Sequence, residues 1–359
     1  MKTPYPISIL AASLLAATSA AAQAPSSPPP VVQAPATKPA AEPKKRPHEV
    51  KKPTAPAAQA KPAAPAAAAP TAEAAPAPPQ EDPNVDLVYG AYQRGQYKTS
   101  FDLATPRAEA GDAKAMTMLG ELYANGLGIK HDDAKAVEWY KRACDLGDRE
   151  AMFALAMMRL AGRGGPADKE EAVKLLASSA KLGEPKAAYN LALLYLDGQT
   201  LPQDVKRAAE LLRMAADAGN PEAQYALATF YKEGTGVEKD MDKAVRLLQA
   251  ASLADNVDAE VEYAIALFNG TGTPKNQPAA IALLRKAARQ GSPIAQNRLA
   301  RVLVAGMGVP ADRIEGLKWH LVAKTAGKGD LFLDEAFAQL SPEDRAKVEA
   351  AAKRWLGTK

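Results

Sequence analysis

The sequence predicts an all-α fold, an α-solenoid of stacked helix-turn-helix units, on three observations. Glycine holds one phase of a 36-residue register at positions 111, 147, 183, 219, 291 and 327, with Asp255 in the remaining slot. Alanine recurs four residues into each unit, at Ala115, Ala151, Ala187, Ala223, Ala259 and Ala295, and a second glycine fifteen in, at Gly126, Gly162, Gly198, Gly234, Gly270 and Gly306. No insertion or deletion interrupts six successive units. A fixed period of this size marks supersecondary units that cannot bury their apolar faces without their neighbours.

In chain order, residues 1–22 read as a secretory signal peptide. Lys2 precedes the apolar run Ile7 to Ala17 and the small residues Ala20-Ala21-Ala22, with cleavage expected before Gln23. An uncleaved anchor is the alternative, although the run is shorter than the roughly 20 residues that span a bilayer. Residues 23–82 form a Pro/Ala/Lys-rich linker. Residues 25–80 hold 16 of the 29 prolines and almost nothing large and apolar, so they are expected to stay disordered and extended. Seven basic residues (Lys38, Lys44, Lys45, Arg46, Lys51, Lys52, Lys61) against Glu42, Glu49 and Glu73 give the linker a net charge of about +4, which is the +4 of the whole chain. The remainder from residue 81 is close to neutral, so the body lacks the basic surface a nucleic-acid reader needs, and no nucleic-acid partner is expected. The linker itself reads first as a solvated spacer, with weak attraction to anionic cell wall or membrane headgroups as the alternative.

Residues 83–110 predict a helical hairpin with a tight turn at Ala91-Tyr92-Gln93-Arg94-Gly95. Residues 111–326 then hold the six repeats. Helix A of each unit starts after Asp112, Asp148, Glu184, Asn220, Asn256 or Ser292, whose side-chain oxygens can accept from the free amides of a first turn. Pro185, Pro221 and Pro293 follow, where a missing amide costs nothing. The second glycine column ends helix A, since a residue without a side chain adopts the left-handed conformation easily. Asp132, Asp168, Asp204, Asp240, Asn276 and Asp312 cap helix B, which runs to the next unit's glycine. Helices of about 13 residues are marginal alone. Alanine columns at 156, 192, 228, 264, 300 and at 136, 172, 208, 244, 280 face large residues such as Leu155, Leu191 and Leu227, which lets helix axes approach closely. Residues 327–359 predict two capping helices, the second starting at Ser341-Pro342-Glu343-Asp344.

Chemistry finds no foothold. Cys144 stands alone, which excludes an internal disulfide, and its place beside Ala143 predicts a small buried core residue. The three histidines, His48, His131 and His320, are scattered, so no metal site and no cofactor is expected. No nucleophile, base and orienting acid share a suggestive spacing, and the Gly-x-Gly loops follow helices rather than strands. The chain is therefore read as no enzyme, with an envelope hydrolase as the remote alternative.

The motif Gly111-Asp112-x-x-Ala115-x-x-x-Leu119-Gly120-x-x-Tyr123, followed by Gly126-x-Gly128-x-x-x-Asp132 and Lys135-Ala136-x-x-Trp139-Tyr140-x-x-Ala143, resembles the Sel1-like repeat, a relative of the tetratricopeptide repeat. Arg159, Leu267 and Leu303 depart from the tyrosine of that pattern, Thr200 from its second loop glycine and Tyr263 from its leucine. The resemblance implies a right-handed α-helical superhelix that serves bacterial envelope signalling or assembly as an adaptor or scaffold for other proteins. Some family members carry a disulfide in nearly every unit and have been linked to penicillin binding, but this chain lacks those cysteines.

Residues 3, 7, 10 and 14 places into helix A fall on one helical stripe, which lines the concave groove in related solenoids. These columns vary between units while the packing columns repeat. Asn190, Asp197, Thr229, Glu233, Glu262, Asn269, Arg298 and Arg301 are accordingly expected to contact an extended peptide or helix of an envelope protein, in the periplasm of a bacterium. The alternative makes the basic proline-rich tail the docking element, holding the protein to cell wall or membrane.

Overall fold

The computed structural model describes residues 83–357, so the expected signal segment and linker lie outside the described residues. Among the described residues there are sixteen helices and no strand. An N-terminal hairpin, α1 (Pro83–Gln93) and α2 (Tyr97–Glu109), precedes the six repeats. These are α3 (Ala113–Asn125) with α4 (Asp133–Asp145), α5 (Arg149–Ala161) with α6 (Lys169–Lys181), α7 (Pro185–Asp197) with α8 (Val205–Asp217), α9 (Pro221–Glu233) with α10 (Met241–Leu253), α11 (Val257–Asn269) with α12 (Gln277–Arg289), and α13 (Pro293–Ala305) with α14 (Arg313–Thr325). Helices α15 (Leu331–Ala338) and α16 (Pro342–Gly357) close the array.

Local chemistry sets these boundaries. Asp112 accepts from the amides of Lys114 and Ala115, Asp148 from that of Ala151, and Asn220 from that of Ala223, which satisfies first-turn donors of the A helices. Asp132, Asp204 and Asp312 do the same at the starts of three B helices. At the other end Gly126 sits at φ 63°, and Leu127 N–H donates to the Leu122 carbonyl at 3.0 Å. Ser341 caps α16 through the Asp344 amide at 3.1 Å.

Glycine has a second use in the loops. At Gly164 (φ +69°) a Cβ would lie 2.5 Å from the Asp133 carbonyl oxygen, and at Gly272 (φ +67°) 2.8 Å from that of Met241. The A–B loop of one unit therefore lies against the start of helix B in the unit before it. What requires this glycine, two residues beyond the one that stops helix A, is the close approach between units.

Each A helix packs against the B helix of its own unit and against that of the preceding one. The buried apolar core falls into three clusters along this stack, built from Leu155, Leu176, Leu191, Leu212, Leu227 and their counterparts over alanines that are fully buried or nearly so, with half-buried Leu175 and Tyr263 packed between one cluster and the next. Arg159, which stands in the tyrosine column, is buried with its Nε 2.6 Å from Glu171 Oε2. Cys144 differs from expectation. Ala143 takes the deep position, and Cys144, one residue round the helix, is only half-buried. Burial, with help from Asp145, Asp148 and Glu171, still pushes its thiol up to about 12, so the thiolate is disfavoured.

Candidate functional site

The candidate site is the stripe that runs along the A helices. Side chains from successive A helices meet there. Lys114 on α3 reaches Asp148 at 2.9 Å and Glu150 at 3.3 Å, and Lys232 on α9 reaches Glu262 on α11 at 3.0 Å. Arg301 on α13 holds Asp330, the cap residue of α15, together with Asn297 Nδ2 at 3.2 Å.

The eight expected contact residues divide by place. Asn190 and Thr229 are buried, each at 8 % exposure. Asn190 Nδ2 donates to the Lys186 carbonyl at 2.8 Å and Thr229 Oγ1 to the Tyr225 carbonyl at 3.2 Å, so both are satisfied within their own helix. Leu193 and Ala226 on the same stripe are buried too. Asp197 and Glu262 are half-buried, with Glu262 paired to Lys232. Glu233, Asn269, Arg298 and Arg301 are exposed, with Arg301 committed to Asp330. Glu233 and Asn269 are the last residues of α9 and α11, whereas Arg298 and Arg301 lie mid-helix on α13, so what this face exposes to a partner lies at the C-terminal ends of α9 and α11 and along α13.

Two aromatic residues between these helices are absent from the expected set. Tyr225 on α9 is half-buried, and its hydroxyl is pushed up to about 12 by burial first and then by Asp258, Glu262 and Glu233. Tyr189, one unit earlier at the equivalent position, is 3 % exposed and is raised by burial and by Glu222 of the next unit. Acidic side chains thus act on each tyrosine, Glu222 on Tyr189 and Asp258, Glu262 and Glu233 on Tyr225. The signal for the tyrosines was their column, which reads Thr117, Phe153, Tyr189, Tyr225, Val261 and Asn297 and varies as much as the stripe beside it.

At the sixth unit the character changes. Ile294, Leu331 and Phe332 are exposed near Arg298 and Arg301, with the Arg301 guanidinium 5.8 Å from the Phe332 ring centroid. Among the described residues no group of three or more His, Cys, Asp or Glu side chains could hold a metal ion, and no helix is long and apolar enough to cross a membrane.

The Sel1 repeat family model matches residues 113–148, 149–184, 185–220, 221–256, 257–292 and 293–328, more than half of the chain. Its units begin two residues after the glycine column that defines the register in the sequence. Among solved structures the chain is similar to a Sel1 repeat protein from Oxalobacter formigenes, at 27% identity and a TM-score of 0.60 over 67% of this chain and 99% of that one. It is also similar to c5321, a protective antigen present in uropathogenic Escherichia coli strains that displays an SLR fold, at 25% identity and a TM-score of 0.51 over 76% of this chain and 68% of that one. No curated protein matches the sequence. With six contiguous matched units folded as stacked hairpins, the chain belongs to the Sel1 repeat family, whose members serve in general as protein-interaction scaffolds.

Proposed function

We propose that this protein is an exported, non-catalytic adaptor that holds another envelope protein, or a peptide of one, against its row of A helices in envelope signalling or assembly. The observation that carries this reading is the contrast between columns. Packing positions repeat from unit to unit, whereas Asp197, Glu233, Glu262, Asn269, Arg298 and Arg301 vary and keep part or all of their surface open. Packing constrains the first set, and a particular ligand shapes the second. Asn190 and Thr229 contribute to the wall behind these residues rather than to direct contact.

Affinity capture from the bacterial envelope, followed by rebinding of the purified partner, tests this. Replacing Glu233→Gln, Asn269→Ala and Arg298→Gln together is expected to lower partner affinity at least tenfold while the melting curve stays put, because all three are exposed. Unchanged affinity would move the site off the A helices. Export is tested separately, by fractionation of cells that express the full chain: recovery of the mature protein in the cytosol would overturn it.

A further inference from the structure

The B helices of units one to four turn a face of apolar and charged side chains to solvent. We propose that a second copy of this chain docks on that face, the two copies related by a two-fold axis that runs parallel to the B helices and passes between α6 and α8. The pairing is independent of what the A-helix row holds, and it leaves that row uncovered in both copies.

Within the six repeats, six large apolar side chains stay exposed, and four of them, Leu146, Leu182, Met214 and Leu253, are 49 to 81 % open. All four stand at the end of a B helix: Leu146 caps α4, Leu182 caps α6, Met214 lies in the last turn of α8 and Leu253 ends α10. Met214, Leu253 and the two caps follow the first position of their 36-residue units by 31, 34 and 35 residues. Residues three and four apart share a helix face, so the four side chains form one row along the array. The turns that carry them touch: Arg149 Nη1 donates to the carbonyls of Leu182 and Gly183 at 3.2 and 3.1 Å. Exposed apolar surface gathered in a row, rather than scattered singly, marks an interaction face.

Charge selects the occupant. Four residues before the place of Met214, and so on the same face, stand Glu138, Lys174, Glu210 and Arg246, which alternate in sign through α4, α6, α8 and α10. A two-fold axis parallel to the helices reverses the order of units and sets each helix end beside the equivalent end of the other copy. Glu138 of each copy then faces Arg246 of the other, and Lys174 faces Glu210. In the row itself Leu146 meets Leu253, Leu182 meets Met214, and Lys181 meets Asp217. Glu138, Lys174, Lys181, Asp217 and Arg246 are exposed and enter no ion pair among the described residues. Glu210 uses one oxygen, Oε2, on Arg207 at 2.7 Å and keeps the other. The pairing also opposes two like charges, Lys135 and Lys243. Both lie on first turns and are engaged within their own chain, Lys135 over the Tyr123 ring and Lys243 by Asp240 at 3.0 Å. Four such helices of 13 residues, at about 10 Å spacing, present roughly 800 Å², about what each partner gives to a stable interface.

Sedimentation equilibrium of the full chain tests this. A mass of two chains is expected at roughly 100 µM. Leu182→Asp with Met214→Asp, both at exposed positions, is expected to weaken association at least about tenfold while the melting curve stays put. The charges permit a stricter arm. Lys174→Glu with Lys181→Glu brings like charges together at both α6–α8 contacts, as does Glu210→Lys with Asp217→Lys, so each variant alone should be monomeric. Mixed, the two variants restore opposite charges at both contacts and should pair with each other, less tightly as salt is raised. A wild-type chain that stays single at that concentration overturns the proposal. So does a dimer that keeps its strength through every substitution, and so do folded charge variants that remain monomeric when mixed.

Discussion

The middle of the array and its two ends solve the same packing problem differently. One column of helix B buries Leu176, Leu212, Leu248 and Leu284 in units two to five, but Tyr140 in unit one and His320 in unit six. Each end residue is tied to a polar partner. Tyr140 Oη donates to Glu121 Oε2 at 3.2 Å, while Tyr92 of the N-terminal hairpin donates to the other oxygen of Glu121 at 3.4 Å. His320 Nε2 lies 2.9 Å from Asp334 Oδ1 of α15, which Lys324 also reaches at 2.6 Å. A central hairpin is oriented by neighbours on both sides, and apolar packing suffices. A terminal element has one neighbour, and directional hydrogen bonds fix its angle where burial alone would leave it loose.

The largest expected effect comes from the middle. Leu212→Ala removes a fully buried side chain with neighbours on every side, and a loss of about 2–5 kcal/mol in urea unfolding is expected. Val348→Ala, equally buried but in α16, should cost less and loosen only the C-terminal cap. Equal losses would erase the distinction between the regions.

An end can be rebuilt as a middle. Gly120 occupies the column that is alanine in every other unit, because a Cβ there would lie 2.5 Å from the Tyr140 ring. Gly120→Ala alone should destabilise by about 1–3 kcal/mol through overpacking. Combining it with Tyr140→Leu restores the alanine–leucine pair of the central units and should recover most of that loss in a double-mutant cycle. Simple additivity would show that the two side chains do not share the space.

Acid should act on the C-terminal end before the middle. Burial opposes ionisation of Asp330, yet Arg301, Asn297 and the Leu333 amide together hold its carboxyl below the ordinary 3.8. Lys324 and His320 do the same for Asp334. A carboxyl lowered in the folded state contributes stability that is present above its unfolded pKa and is lost as pH falls through its folded one. Loosening of α15 and α16 is therefore expected only below about pH 4, read from the fluorescence of the packed Trp319–Trp355 pair, and Asp334→Asn should flatten the response. A transition near neutrality would contradict this assignment. The smallest effect is at Asp255, the one non-glycine residue in the first glycine column, at φ 60°. Asp255→Gly relieves that strain but removes an exposed partner of Lys286, which keeps buried Glu260 at 2.7 Å, so a net gain below about 1 kcal/mol is expected in a melting curve.

What the sequence discloses is what local chemistry decides. Cap residues such as Asp132 and Asn220 and stops such as Gly126 act within one turn of chain, so helix identity and limits could be read directly. Contacts between units could not be read this way. The burial of Asn190 and Thr229, and the seating of Gly164 against Asp133, depend on how the hairpins pack, which no short window of sequence encodes. Tyr189 and Tyr225 stayed hidden for the same reason: of their carboxylate neighbours, Glu222, Asp258 and Glu262 come from the following unit.

The central claim is that each hairpin is held by the ones beside it, and native-state hydrogen exchange on the full chain tests it most directly. Protection graded from the middle outward is predicted, slowest in α7 to α10 and fastest in α1, α15 and α16. A single uniform protection across all sixteen helices would contradict the account.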